Sequence, residues 1–287
     1  VSRDVVLATC AELPSGDPDD ADLVPALAAH GVAARWQTWN DPAAAWGDAI
    51  VVLRSTWDYS ARREDFLRWT ATVPRLHNPA DVLAWNTDKT YLAALGAAGL
   101  PIVPTRCFAP IEPVDLPDEG EVVIKPSVGA GSRGAGRFAA ERRAEALAHA
   151  ETLQAAGRTV VVQPYLAGVD TVGETALVYF DGSYSHAITK SAMIAPGETH
   201  ALHSPHLFVD ERIRATLASP DERAVGARVL DYLRTELGAA PLYARVDLLP
   251  SPDGPLIGEL ELSEPSLFLG YAGGAAERFA AAVAGRV

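Results

Sequence analysis

Leu242-Tyr-Ala-Arg245-Val-Asp247-Leu-Leu-Pro-Ser-Pro-Asp253-Gly254-Pro-Leu-Ile-Gly-Glu259-Leu-Glu261-Leu262 reads as two strands joined by the turn Ser251-Pro252-Asp253-Gly254. A hairpin symmetric about Asp253 pairs Asp247 with Glu259 and Arg245 with Glu261. Side chains alternate with period two along a strand, so Arg245, Asp247, Glu259 and Glu261 share one face. Leu248, Leu260 and Leu262 take the other face and can pack into a core. At about 4 Å and an effective dielectric near 20, each pair of like charges costs about 4 kcal/mol. A hard divalent cation such as Mg²⁺ reverses that sign, and carboxylate oxygens suit it. The alternatives are a solvated polar face and a turn bulge that shifts the register by one.

Upstream, a strand over Glu121 to Lys125 runs into a glycine-rich loop, Ser127 to Gly136, with Gly129, Gly131, Gly134 and Gly136. The spacing matches a dinucleotide fingerprint on paper, but that motif belongs after the first strand of a βαβ unit. Kinase loops precede their lysine strand, and the HRD and DFG motifs are absent. The GK[ST] ending of a Walker loop is absent too. What remains is a lysine at a strand end before a loop with many free N–H groups, suited to phosphate.

The 287 residues suffice for two or three domains with a sizeable core. A net charge of −13 disfavours nucleic acid and anionic lipid as partners. Of 24 basic residues only Lys89, Lys125 and Lys190 are lysines. A compact point charge suits phosphate, although codon bias alone could leave three. Cys10 and Cys107 make no disulfide framework, and no apolar run approaches a membrane helix. Reduced thiols in a cytoplasmic protein are the expectation.

Toward the N-terminus, strands at Val5 to Thr9, Val32 to Trp36 and Ile50 to Arg54 alternate with a helix over Ala21 to His30, which predicts a parallel α/β layer. Arg54-Ser55-Thr56-Trp57-Asp58-Tyr59 follows a strand's carboxyl end, where such sheets bind ligands. The competing reading is a turn in which Asp58 caps the next helix. Further helices are expected over Thr87 to Ala98, Ala139 to Ala156 and Pro220 to Leu237, with a hairpin at Asp181-Gly182. His200, His203 and His206 stand at H-x-x-H-x-x-H in a loop with Gly197 and Pro205. A wall of the acceptor pocket explains them better than zinc, for which no fourth ligand is evident, and plain surface histidines are the alternative.

Lys89, Lys125 with its glycine loop, Gln163-Pro164-Tyr165-Leu166, Arg245-Val246-Asp247 and Glu259-Leu260-Glu261, in that order, resemble the ATP-grasp superfamily. Arg54 to Tyr59, His77-Asn78-Pro79 and Glu261 to Leu269 are similar to the glutathione-synthetase-like branch that includes O-ureido-serine cyclo-ligases of cycloserine biosynthesis. The resemblance implies a mixed α/β and α+β architecture: an N-terminal substrate-side domain over 1–78, a central lid domain over 79–165 and a C-terminal catalytic domain over 166–287. It implies ATP and two Mg²⁺ as cofactors. Lys89 and Lys125 would meet the α- and β-phosphates, and Ser127, Gly129, Gly131, Ser132 and Gly134 would cover them. Gln163, Pro164, Tyr165 and Leu166 would read adenine, and Asp170 would bind the ribose. Asp247, Glu259 and Glu261 would hold metal, with Arg245 and Lys190 catalytic. Arg54, Ser55, Thr56, Asp58, Tyr59 and Ser263 would meet a small amino-acid-like substrate. Gln163 and Glu261 depart from the superfamily's more usual Glu and Asn.

The implied chemistry is carboxylate–amine ligation through an acyl phosphate, with ring closure of O-ureido-D-serine to D-cycloserine as its intramolecular form. Ligation to a separate amino acid or peptide is the alternative. A phosphotransferase would release a stable phosphorylated product, and a non-catalytic module would have lost Asp247, Glu259 or Arg245. The oligomeric state stays open, a homo-oligomer included.

Overall fold

The structure is a computed structural model and describes residues 4–202 and 212–287. Three sheets organise it. The first is parallel, in the order β2-β1-β3-β4: β1 (Asp4–Thr9), β2 (Ala33–Thr38), β3 (Ile50–Leu53) and β4 (Leu76–His77). Helices α1 (Leu23–Ala29) and α2 (Arg63–Thr70) connect its strands. The β3 strand is buried along its whole length, as a β-branched strand covered on both faces should be. The expected parallel layer is therefore present. Its first helix starts later than Ala21, because Asp17 caps a short 3-10 turn at Pro18–Asp20 and Asp20 turns inward to pair with Arg54.

Two short helices, α3 (Ala80–Asn86) and α4 (Tyr91–Ala97), replace the single helix expected over Thr87 to Ala98. The break between them lets the Lys89 backbone N–H bond the Ser127 carbonyl at 2.8 Å, which docks the lysine at the root of the glycine loop. The second sheet is antiparallel, in the order β5-β8-β6-β7, with β5 (Arg106–Phe108), β6 (Val122–Pro126), β7 (Gly136–Phe138) and β8 (Val160–Pro164). Helix α5 (Arg143–Ala155) covers it, burying Ala146, Ala150 and Leu153 against Ile124 and Val162.

A short turn of helix, α6 (Gly168–Thr171), leads into the third sheet, antiparallel and ordered β11-β10-β9-β12-β13. Its strands are β9 (Glu174–Phe180), β10 (Ser183–Lys190), β11 (Ile213–Thr216), β12 (Tyr243–Leu249) and β13 (Leu256–Glu261). Helix α7 (Pro220–Leu237) opens with a capping box between Ser219 and Glu222 and ends at Gly238 in the left-handed conformation. Its apolar stripe packs on one face of this sheet, and α8 (Ala275–Ala284) joins the core shared with the parallel layer.

The edge strand β13 carries Glu259 and Glu261, and its outward backbone groups are engaged by α3, α4 and the segment after α4. Asn86 donates to the Leu260 carbonyl and accepts from Leu262 N–H, at 2.8 and 2.7 Å. The Tyr91 hydroxyl accepts from Leu260 N–H at 2.8 Å. Near the turn, Ile257 N–H bonds the Pro101 carbonyl at 2.7 Å. A buried edge with open N–H and C=O groups would be costly, so α3 and α4 fix the height of the hairpin.

Candidate active site

Arg245 pairs with Glu261, and Asp247 with Glu259, across β12 and β13. The register shifts by one between Asp247 and Leu248, with Gly258 as the extra residue, yet the four charged side chains remain on one face. Leu248, Leu260 and Leu262 lie in the core on the other. The Arg245 fork donates to both Asp247 oxygens at 2.8 Å, to the Ser266 carbonyl at 3.2 Å and to Glu261. Lys190, from β10, donates to Asp247 at 2.8 Å and also pairs with Glu174. Lys89 bridges Glu259 at 2.9 Å and the Gly129 carbonyl at 3.0 Å.

This is a buried array of alternating charge. Burial pushes the Asp247 carboxyl up, but Arg245 and Lys190 outweigh it and hold it below the carboxylate range. Burial likewise opposes Lys89 and Lys125 at Glu259, which ends up lowered. Glu174 and Glu261 go the other way. Burial raises both to about 7, and neighbouring carboxylates offset part of what the cations return. Glu174 is a site residue that counting along the sequence misses. A bulge at Ser185 moves the register of β9 against β10 by one and brings Glu174 opposite Lys190.

A cavity of about 780 Å³ opens above this face. Lys125 lines it, half-buried, with no hydrogen-bond or ion-pair partner among the described residues, and burial pulls its pKa down. The glycine loop forms the roof, with Gly129, Gly131 and Ser132 on its surface. Ser127 sits buried at its root. Gly134 has φ of +71°, and a Cβ there would meet Leu202 at 3.0 Å and Pro126 at 3.2 Å, so only glycine suits the bend. Gln163, Pro164, Tyr165 and Leu166 line one end, with Gln163 Nε2 donating to Thr105 Oγ1 at 2.8 Å. Asp170 is absent from that wall. Arg137 donates to both its oxygens at 2.9 Å, and the Tyr165 hydroxyl donates at 2.6 Å, so it braces the 163–166 segment.

Asp247, Glu259 and Glu261 are hard oxygen donors on one buried face, which fits Mg²⁺. Among the described residues no three His, Cys, Asp or Glu side chains converge into a ready-made cage. Mg²⁺ takes one or two carboxylates and completes its shell with waters and phosphates. His200 bonds the Ser132 carbonyl at 3.3 Å and joins the loop packed on the glycine roof, while His203 and His206 lie outside the described residues. No described helix is long and apolar enough to cross a membrane.

The strand-end segment departs most from expectation. Tyr59 and Trp57 line the cavity, but Arg54, Ser55, Thr56 and Asp58 do not. Arg54 is buried and forks onto Asp20 at 3.0 Å, with a third donor to the Pro265 carbonyl at 3.1 Å. Ser55 Oγ accepts from the Asp17 N–H, and Thr56 is fully buried. Asp58 accepts from Trp39 Nε1 at 2.7 Å and pairs with Arg62, so its carboxylate is committed to packing the domain. Asp58→Asn is therefore expected to cost about 1 kcal/mol of stability and to leave the substrate KM unchanged. Thermal melts beside steady-state kinetics check this, and a raised KM with an unchanged melt would contradict it. Ser263, by contrast, does line the cavity.

The N-terminal residues 5–78 match the family model described as D-cycloserine synthetase DcsG, N-terminal domain. Cycloserine biosynthesis protein DcsG of Streptomyces lavendulae is 39% identical, over 94% of this chain and 95% of that protein. The chain belongs to the DcsG family. The crystal structure of D-cycloserine synthetase DcsG superposes with a TM-score of 0.88 at 36% identity, covering 99% of each chain. D-alanine–D-alanine ligase of Bacillus anthracis, solved with ATP, gives a TM-score of 0.63 at 15% identity over 98% of this chain and 95% of that one. The latter likeness speaks for the fold alone. DcsG and these neighbours fix it as ATP-grasp, with the cavity between the second and third sheets.

Proposed function

We propose that the chain is an ATP-dependent ligase that closes O-ureido-D-serine to D-cycloserine. The reading is carried by whole-length similarity to DcsG joined to a cavity lined by Lys89, Lys125, Arg245, Glu259 and Glu261, with Asp247 buried beneath them and held by Arg245. Lys89 and Lys125 hold the α- and β-phosphates, and N–H groups of the glycine loop cover them. Gln163 to Leu166 receive adenine, with Val123, Val169 and Leu249 as apolar lining. Asp247, Glu259 and Glu261 would hold two Mg²⁺, which when bound supply positive charge against the transferring phosphoryl group. One sheet falls within each of 1–78, 79–165 and 166–287, which supports three domains with those bounds. Two unpaired thiols, Cys10 and Cys107, suit a cytoplasmic setting.

A substrate carboxylate oxygen attacks the γ-phosphorus, the bond to the ADP oxygen breaks, and an acyl phosphate forms. The nitrogen bonded to the side-chain oxygen then attacks the acyl carbon, and phosphate departs with that nitrogen's proton. Water splits the carbamoyl group off as CO₂ and ammonia. Arg245 lies where it can stabilise charge on the acyl phosphate, and Lys190 holds Asp247 in place. Positioning and charge neutralisation are the protein's main contributions. The test is ADP release with O-ureido-D-serine, with and without an added amino acid. Release with cycloserine formation and no added amine is expected. Release that needs a second amine would move the reading to an intermolecular ligase.

A further inference from the structure

Four consecutive carbonyls after β13 are each held by a side chain from elsewhere in the fold. Tyr243 Oη donates to the Ser263 carbonyl at 2.7 Å, and Trp57 Nε1 to that of Glu264 at 2.8 Å. Arg54 donates to the Pro265 carbonyl at 3.1 Å, and Arg245 to that of Ser266 at 3.2 Å. A turn clamped at every carbonyl is rigid, so the Glu264 side chain projects from a fixed base. That side chain lines the cavity while the residue is only 7% exposed. Its Oε2 is fully buried and has no hydrogen-bond partner among the described residues. Leaving a carboxyl oxygen unpaired in a buried site is costly and is retained where a ligand supplies the partner.

We propose that Glu264 is the specificity residue that binds the α-ammonium group of the amino-acid substrate, beside Tyr59 on the wall facing Lys89. The inference rests on the ligase reading above. The chemistry of the surroundings favours a cation there. Burial, then Glu261, pushes the Glu264 carboxyl up to about 8, and a cation placed against it would favour its charged form. Lys89, the cation that faces it, is already committed to Glu259. A primary ammonium adds the missing charge and donors. The α-ammonium takes no part in ring closure, so its contact should act on binding more than on turnover.

Glu264→Gln separates the roles, since glutamine keeps the shape and a neutral donor but not the charge. It should raise KM for O-ureido-D-serine about 30-fold, with kcat and the KM for ATP near wild type. Against the analogue lacking the α-amino group, 3-(ureidooxy)propanoate, the two proteins should perform alike. An unchanged KM, or an equal loss with the analogue, would overturn the assignment. So would a fall in kcat with KM unmoved. Calorimetric titration with D-serine, in the presence of a non-hydrolysable ATP analogue, reads the same contact without turnover. Binding at least about tenfold tighter to wild type supports the inference even if O-ureido-D-serine proves not to be the substrate. Equal binding, or none to either protein, overturns it while leaving the ligase reading to its own assay.

Discussion

Replacing Arg245 by lysine is expected to lower kcat for ADP release by about 100- to 1,000-fold, with nucleotide affinity nearly unchanged. Arg245 spans Asp247, Glu261 and the Ser266 carbonyl with one planar fork. A lysine keeps the charge but offers a single point of donation, so it cannot hold three acceptors at fixed angles. On the proposed reading, the carboxylates it orients are the metal's oxygen donors, and the group it stabilises carries charge mainly during transfer. Loss of such an interaction appears in kcat and only weakly in ATP binding. Asp247 remains paired with Lys190 in the variant, so the fold should survive. Steady-state kinetics with ATP titration checks this. A kcat within tenfold of wild type would reduce Arg245 to a strut between the hairpin and the Ser263 to Ser266 turn.

How much of this was legible in the sequence depends on where the chain bulges. Counting outward from Asp253 sets Asp247 against Glu259, and the structure agrees. It agrees because two departures cancel. The turn is centred half a residue before Asp253, and the bulge at Gly258 adds the residue that restores the count. The Asp181-Gly182 hairpin has an equivalent bulge at Ser185 and no such compensation. Symmetric counting there sets Lys190 against Gly173 and hides Glu174. Hydrophobic alternation reports which face a strand buries, but a single extra residue leaves that signal nearly untouched while moving every partner beyond it.

The segment from Arg54 to Tyr59 fails for a different reason. Its position at the end of β3 was readable, and Trp57 and Tyr59 do reach the cavity. Which of six polar and aromatic side chains turns inward depends on partners far away in sequence. Arg54 finds Asp20 and Pro265, and Asp58 finds Trp39, with Arg62 one turn further along its own segment. Asp170 was drawn out of the site in the same way by Arg137. A buried ion pair such as Arg54–Asp20 is specified by the fold as a whole, and no local motif announces it. Glu264 stayed hidden because its Oε2 has no hydrogen-bond partner among the described residues, and only its burial marks it.

Lys125→Met should separate stability from function more cleanly than any other change in the site. Lysines at 89 and 190 each have carboxylate partners, but Lys125 has none among the described residues. Burial disfavours its charged form and lowers its pKa. Its unfolded pKa is therefore the higher one, so the folded protein carries a penalty at neutral pH that is relieved as pH rises toward the ordinary lysine value. Methionine has a similar length and no charge, so the variant should melt at the same temperature as wild type or above it. Affinity for Mg-ATP should nevertheless fall at least about 30-fold, the usual cost of truncating one member of a buried charged pair. The opposite signs follow from one cause: a buried cation without a direct ion pair costs stability, and an anion bound beside it offsets that cost. Arg142, which pairs with Glu145 on the outer surface, provides the control, because Arg142→Ala should leave Mg-ATP affinity unchanged. Calorimetry and thermal melts on the three proteins read both quantities. A Lys125→Met protein that binds Mg-ATP as wild type does would remove this lysine from the phosphate site, and one that melts well below wild type would show that its charge is already balanced within the fold.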